Sequence, residues 1–259
     1  MRSIWAQLRR SGTGNVQARR FWLTSIAVLV LLAATQAPAA AVPARFVKPV
    51  VVVKPTQRLV ALLRAHEGFS KPNRHSARVG LVRARRPITG ERTVLPVIGR
   101  TVRRGGLSWL HVGLPGRPNG RTGWITKRAT ALAVTRWHIV VRTSSRLVIV
   151  YRRSRLVRVF KAIVGKPSTP TPLGEFFVEE SVQLPADSMG APIALALSAR
   201  SNVLQEFAGG PGQIALHGRE NIGGILGTAV SHGCVRVADD AIRWLSERIG
   251  PGVPVTITS

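Results

Sequence analysis

From Ala77 onward the chain runs in short apolar stretches, each closed within a few residues by Gly, Pro or Asn. That pattern leaves little room for long helices and favours short strands joined by tight turns. Val79-Gly80-Leu81-Val82, Thr93 to Ile98, Leu107 to Val112 and Thr122-Gly123-Trp124-Ile125 each read as a strand. Pro115-Gly116-Arg117-Pro118-Asn119-Gly120 is a turn cluster between the last two. Several short strands with turns between them predict a small barrel. Residues 59–66, with Leu59, Val60, Leu62 and Leu63, fit one apolar strand or a helical turn equally well. Trp109 and Trp124 fit either core packing or an exposed ligand shelf. His66, His75 and His111 lack metal-ligand spacing and read as surface or structural residues.

The second half repeats the pattern with longer runs. Trp137 to Val141, Arg146 to Tyr151 and Leu156 to Phe160 predict a β-meander, the third strand with one wetter face. Gly165 to Gly174 holds three closely spaced prolines, which forbid regular structure and stiffen a loop. Phe176-Phe177-Val178 resumes a strand. Residues 181–195 read as an irregular stretch able to cover a cleft, and Ser201 to Phe207 as a short helix. Gln213 to Leu216 is a buried strand ending at His217, a rigid place to hold a base. Asn221 to Val230 is a glycine-rich loop that lets the chain return. Asp239 or Asp240 then caps a helix carrying Ile242, Leu245 and Ile249, and Val253 to Ile257 forms a last strand. The predicted class is mostly β, with one or two short helices.

The first 44 residues differ. Arg9, Arg10, Arg19 and Arg20 precede an apolar run from Phe21 to Ala34, and Ala39 and Ala41 give an A-x-A-like cleavage pattern. The segment reads as a signal peptide or, uncleaved, as an N-terminal anchor, which places the rest of the chain outside the cytoplasmic membrane. The organisation expected is therefore 1–44 signal or anchor, 45–76 linker and start of a β module, 77–134 the module, and 135–259 a second domain. Lysine and arginine total 38 against 11 acidic residues, a net charge of +27. Such a chain favours an anionic cell-wall or membrane surface, or else carries a solvated basic surface. No nucleic-acid motif accompanies the charge.

Cys234 is the only cysteine, so the chain forms no internal disulfide. It sits in Ser231-His232-Gly233-Cys234-Val235-Arg236, with His217-Gly218 upstream. A thiol and an imidazole make a nucleophile and its base, suited to acyl transfer through a thioester. Amides near Gly233 and Cys234 can stabilise an oxyanion, and Arg236 can hold a carboxylate. Two other readings of the same residues stay open. One is a buried structural cysteine; the other is a partial zinc set of one Cys and two His, without a fourth ligand at a typical interval.

Two resemblances extend these readings. Trp109 to Val112 through Asn119 to Ile125 resembles bacterial SH3-like modules, which implies an SH3-like β-barrel. His217-Gly218 followed by Ser231-His232-Gly233-Cys234-Val235-Arg236, with Gly165 and Thr171-Pro172-Leu173-Gly174, resembles the L,D-transpeptidase catalytic family of the YkuD type. That resemblance implies a β-sandwich over 135–259 and a peptidoglycan L,D-transpeptidase that needs no cofactor or metal. Cys234 is then the nucleophile, His217 its base held by a backbone carbonyl near Gly218, and His232 a second histidine shaping the thiol's surroundings. Gly233 supports the oxyanion site, while Ser231, Gly218 and Arg236 fall on the substrate side, Arg236 standing where many members have Asn. The implied partners are peptidoglycan stem peptides, with β-lactams of the carbapenem type as inhibitors. The same thioester resolved by water gives an L,D-carboxypeptidase or amidase instead. An inert Cys234 leaves a non-catalytic wall-binding protein.

Overall fold

The apolar runs of the first half become strands, and pairing decides the ambiguous one. They are β1 (Gln57–Leu62), β2 (His66–Phe69), β3 (Arg78–Val82), β4 (Val94–Pro96), β5 (Val102–Arg104), β6 (Leu107–Gly113), β7 (Thr122–Thr126) and β8 (Thr130–Thr135). The structure is a computed structural model and describes residues 51–206 and 210–259. The expected export segment lies outside the described residues. β1 is extended because β4 and β8 both pair with it, and Val60 and Leu62 enter a core that a helical turn would not fill. The order β4-β1-β8 makes one sheet and β3-β2-β7-β6-β5 another. Leu95, Leu110, Val112 and Ile125 close the core between them.

The two tryptophans separate. Trp109 is 1% exposed and meets Phe69 edge-on at 5.7 Å, so it is core. Its Nε1 donates to the Arg104 carbonyl at 3.2 Å, which supplies the partner that a buried indole N–H needs. Trp124 is only half-buried and stacks on His111 at 4.7 Å. His66 is structural, with its two ring nitrogens on the carbonyls of Arg64 and Arg128.

The second half contains β9 (Trp137–Arg142), β10 (Leu147–Arg152), β11 (Arg155–Gly165), β12 (Gly174–Gln183), β13 (Ile193–Arg200), β14 (Gln213–His217), β15 (Ala229–Ser231), β16 (Val235–Val237), α1 (Asp239–Ser246) and β17 (Pro254–Thr258). Their order is β10-β9-β17-β12-β13-β14-β16-β11-β15, and β10 also pairs with β11, so the sheet closes on itself. The last strand, β17, enters its middle, parallel to β9 and antiparallel to β12. Ile139, Val148, Leu195, Leu216, Val235 and Ile242 fill the interior. The chain is mostly β, and α1 is the one helix among the described residues.

Four expectations are corrected. Residues 181–195 are not one irregular stretch, because β12 runs to Gln183 and β13 starts at Ile193. Residues 201–206 form bends, since the Ser201 hydroxyl accepts the amides of Val203 and Leu204 and offers the backbone an alternative to helix. Ala238, not an aspartate, is the N-cap of α1, and Asp239 Oδ1 accepts the Arg219 amide at 2.5 Å. On β11, Leu156, Val157 and Val159 are all exposed, so neither face is covered there.

Pro49–Ser259 form one compact unit. Phe177 of β12 packs into the core of the first half. Beside it, Arg86 pairs with Glu179 and, at 3.8 Å, with Glu180; Arg200 pairs with Glu179 at 3.0 Å. Both carboxylates are buried, and Glu180 also accepts the Thr89 amide and hydroxyl.

Candidate active site

β14 and β16 run parallel and side by side, with Leu216 opposite Val235 and His217 opposite Arg236. This register brings His217 and the head of β16, where Cys234 sits, into one region. The glycine-rich loop permits the return of the chain, but the pairing sets the juxtaposition. A small pocket of about 60 Å³ is lined by His217, His232, Cys234 and Arg236. Ser201, Leu204, Gly212, Gln213, Ile214 and Ile222 complete it.

Each of these side chains has a local cause. His217 is buried, and its Nδ1 lies 2.8 Å from the Gly218 carbonyl. A carbonyl only accepts, so Nδ1 carries the proton and Nε2 is left as the basic nitrogen. Gly190 makes room for the ring: a Cβ there would stand 2.3 Å from His217 Nδ1. Gly218 therefore orients the base through its carbonyl. Ser231 is fully buried; its hydroxyl donates to the Cys234 carbonyl at 2.6 Å and accepts the Gly233 amide at 3.2 Å. It shapes the turn and does not face the pocket. Gly233 has φ +119°, a backbone that L side chains rarely adopt, so glycine is needed to bend the chain into Cys234. The Gly233 amide is taken by Ser231, which leaves it a poor oxyanion donor.

The proline-rich loop does more than connect strands. Thr171 Oγ1 donates to the Gly233 carbonyl at 2.8 Å and accepts the Gly165 amide at 2.9 Å. Thr169 Oγ1 donates to the Ser231 carbonyl at 3.3 Å, and the Lys166 amide reaches the same oxygen at 3.0 Å. Two buried threonines thus hold the backbone just before Cys234. The proline spacing announced a stiff loop but not what it stiffens.

Residues 136–257 match the model of the L,D-transpeptidase catalytic domain family (YkuD). This region is similar to an L,D-transpeptidase catalytic domain. The L,D-transpeptidase YkuD of Bacillus licheniformis is 32% identical over 122 residues, 47% of this chain and 66% of the relative. L,D-transpeptidase 1 of Mycobacterium tuberculosis is 28% identical over 120 residues, 42% of this chain and 45% of the relative. The match thus spans less than two thirds of each of these two relatives. Among solved structures, L,D-transpeptidase 3 from M. tuberculosis with a faropenem-derived adduct aligns at 15% identity and TM-score 0.42, over 64% of this chain and 91% of that one.

Burial dominates the electrostatics of the pocket. Desolvation pulls His217 down to about 4, opposed by its bond to Gly218 and reinforced by the Arg236 charge. Desolvation pushes the Cys234 thiol up, and a backbone hydrogen bond at Ala215 and the Arg236 charge pull it back. The resting pair is therefore neutral thiol and neutral imidazole, not an ion pair. Arg236 is 8% exposed and within electrostatic reach of the thiol, so its charge favours the thiolate as that forms. His232 is exposed at the pocket's edge. Among the described residues no group of three or more His, Cys, Asp or Glu is placed to hold a metal ion.

Proposed function

We propose that the protein is an exported peptidoglycan L,D-transpeptidase that forms 3→3 crosslinks through a thioester on Cys234. The observation that carries this reading is the β14–β16 register, which places a thiol, an imidazole with a free Nε2 and a guanidinium at one pocket in a region similar to this family's domain.

The chemistry runs in two halves. His217 Nε2 takes the Sγ proton as the sulfur attacks the carbonyl between the third, L-centred stem residue and the terminal D-alanine. The oxyanion meets the Cys234 amide, and Arg236 stabilises the negative charge passing through the site. Collapse breaks the C–N bond, and the imidazolium returns its proton to the departing D-alanine amine. An amine on a neighbouring stem then loses its proton to Nε2, attacks the thioester and expels the sulfur. The pocket holds only about 60 Å³, room for one or two waters, so the stem peptide lies across its mouth. His232 borders that path. The net charge of +27 favours residence on an anionic wall or membrane surface. A carbapenem, whose strained amide a thiolate opens, is the inhibitor expected of such a site.

Incubation with a defined disaccharide-tetrapeptide, read by mass spectrometry, tests this. The expected products are free D-alanine, a covalent adduct on Cys234 and a stem dimer, all lost in Cys234→Ala. Stem trimming without dimer, even with added amine acceptor, would assign the thioester to water and make the protein an L,D-carboxypeptidase. Crosslinking by Cys234→Ala would refute the mechanism outright.

A further inference from the structure

One wall of the catalytic pocket is held from outside the catalytic domain. The turn between β6 and β7 projects Arg117 onto three backbone carbonyls: Nη1 donates to Pro211 at 2.9 Å, and Nη2 to Ser201 at 2.9 Å and Leu204 at 3.0 Å. Two residues on, Asn119 brackets the end of β13. Its Nδ2 donates to the Arg200 carbonyl at 2.7 Å and its Oδ1 accepts the Arg200 amide at 2.8 Å. Ser201 and Leu204 line the pocket that contains Cys234, and so does Gly212, whose carbonyl accepts the Ser201 amide at 2.8 Å.

A guanidinium is suited to this task. Its planar fork serves several carbonyls in fixed directions, which a single ammonium cannot do. No carboxylate pairs with Arg117 among the salt bridges of the described residues. Its charge is therefore spent on backbone dipoles at the pocket wall. The nucleophile has separate support from Thr169, Thr171 and Ser231, so the two sets of contacts divide the site. One fixes the turn that bears the thiol and the other fixes Ser201 and Leu204 of the pocket lining.

We propose that Arg117 and Asn119 are positioning residues, through which the first-half β module shapes one wall of the pocket and thereby substrate fit, without tuning the thiol. This rests on the transpeptidase reading for its substrate. The module is then a working part of the site, and its loss changes specificity before it changes reactivity.

The test uses the full chain and its Arg117→Ala, Arg117→Lys and Asn119→Ala variants, with three readouts. Amide hydrogen exchange over residues 200–206 should quicken in Arg117→Ala by tenfold or more, with β14 and β16 unchanged, and Arg117→Lys should restore little. Alkylation of Cys234 by iodoacetamide, a probe too small to need the wall, should stay within about twofold of the parent. With disaccharide-tetrapeptide, KM should rise by about tenfold while kcat changes less, as expected when a charged donor to the backbone is lost. Unchanged exchange in Arg117→Ala, or parallel losses of exchange protection in β14 and of alkylation, would overturn the proposal. So would a kcat/KM within twofold of the parent. If the parent chain releases no D-alanine, the transpeptidase reading fails, and exchange and alkylation still decide whether Arg117 holds the wall.

Discussion

At the scale of the residue, the informative group is His217. With its Nδ1 proton committed to the Gly218 carbonyl, only Nε2 can accept the Cys234 proton. Because desolvation holds the ring down to about 4, it is neutral and ready to act throughout the neutral range. The pH dependence of acylation follows. The acid limb should fall near pH 4, not near the ordinary imidazole value, and activity should climb on the alkaline side as the raised thiol begins to ionise. An acid limb near 6.5 in single-turnover acylation would show that burial does not hold the His217 ring below its ordinary value. His217→Ala should abolish acylation, whereas His232→Ala, at the exposed edge, should slow it less. Stability carries the same sign. His217 and His138 are both held down to about 4 by burial, so the unfolded chain binds their protons first as pH falls. Their contribution to stability is whole above about 6.5 and is lost as pH falls towards 4, on the order of a few kcal/mol in all. Urea midpoints at pH 7 and pH 4.5 should therefore converge in a His138→Gln, His217→Gln double variant.

At the scale of the element, the support for the nucleophile comes from a loop with no regular structure. Thr171 ties Gly165 to Gly233 through one buried hydroxyl, so Thr171→Val removes a donor and an acceptor together while keeping the shape. Leaving the Gly165 amide and the Gly233 carbonyl unpaired should cost about 1–3 kcal/mol, read from the urea midpoint. Alkylation of Cys234 should slow as well, since the turn before it loosens; an unchanged alkylation rate would leave Thr171 a purely structural role. Much of this level was legible beforehand. The turn residues marked the hairpins of both halves, and the separated pieces around Gly165, His217 and Cys234 are ones that strand pairing draws together. Other parts were hidden for physical reasons. Glu179 and Glu180 make the middle of β12 look like a surface loop, and only distant arginines, Arg86 and Arg200, make them buriable. β13 carries Ala194, Ala196 and Ala199, which have weak strand preference, so its identity comes from pairing with β12 and β14. Arg117 read only as part of a turn, because the carbonyls it serves lie over eighty residues away in sequence.

At the scale of the molecule, the same contacts question whether the catalytic half stands alone. Phe177 is 3% exposed because the core of the first half covers it. Glu179 and Glu180 are 1% exposed, and Arg86 reaches them from the other half. A fragment of residues 135–259 keeps β12 but loses those partners. It would expose Phe177 and leave two adjacent carboxylates with Arg200 alone, whose charge is itself strained by burial and pulled down to about 10. Removing one partner of a buried ion pair costs about 3–5 kcal/mol, a large share of a domain's total stability. The fragment should accordingly be poorly soluble or unfolded at neutral pH, while the full chain unfolds in one transition. Calorimetry on the full chain and on Arg86→Met separates two outcomes. A single peak that moves down as a whole in the variant means that the halves are one cooperative unit. Two peaks, with only the first-half peak shifted, would mean that the catalytic barrel is self-sufficient and that the buried charges merely decorate its seam.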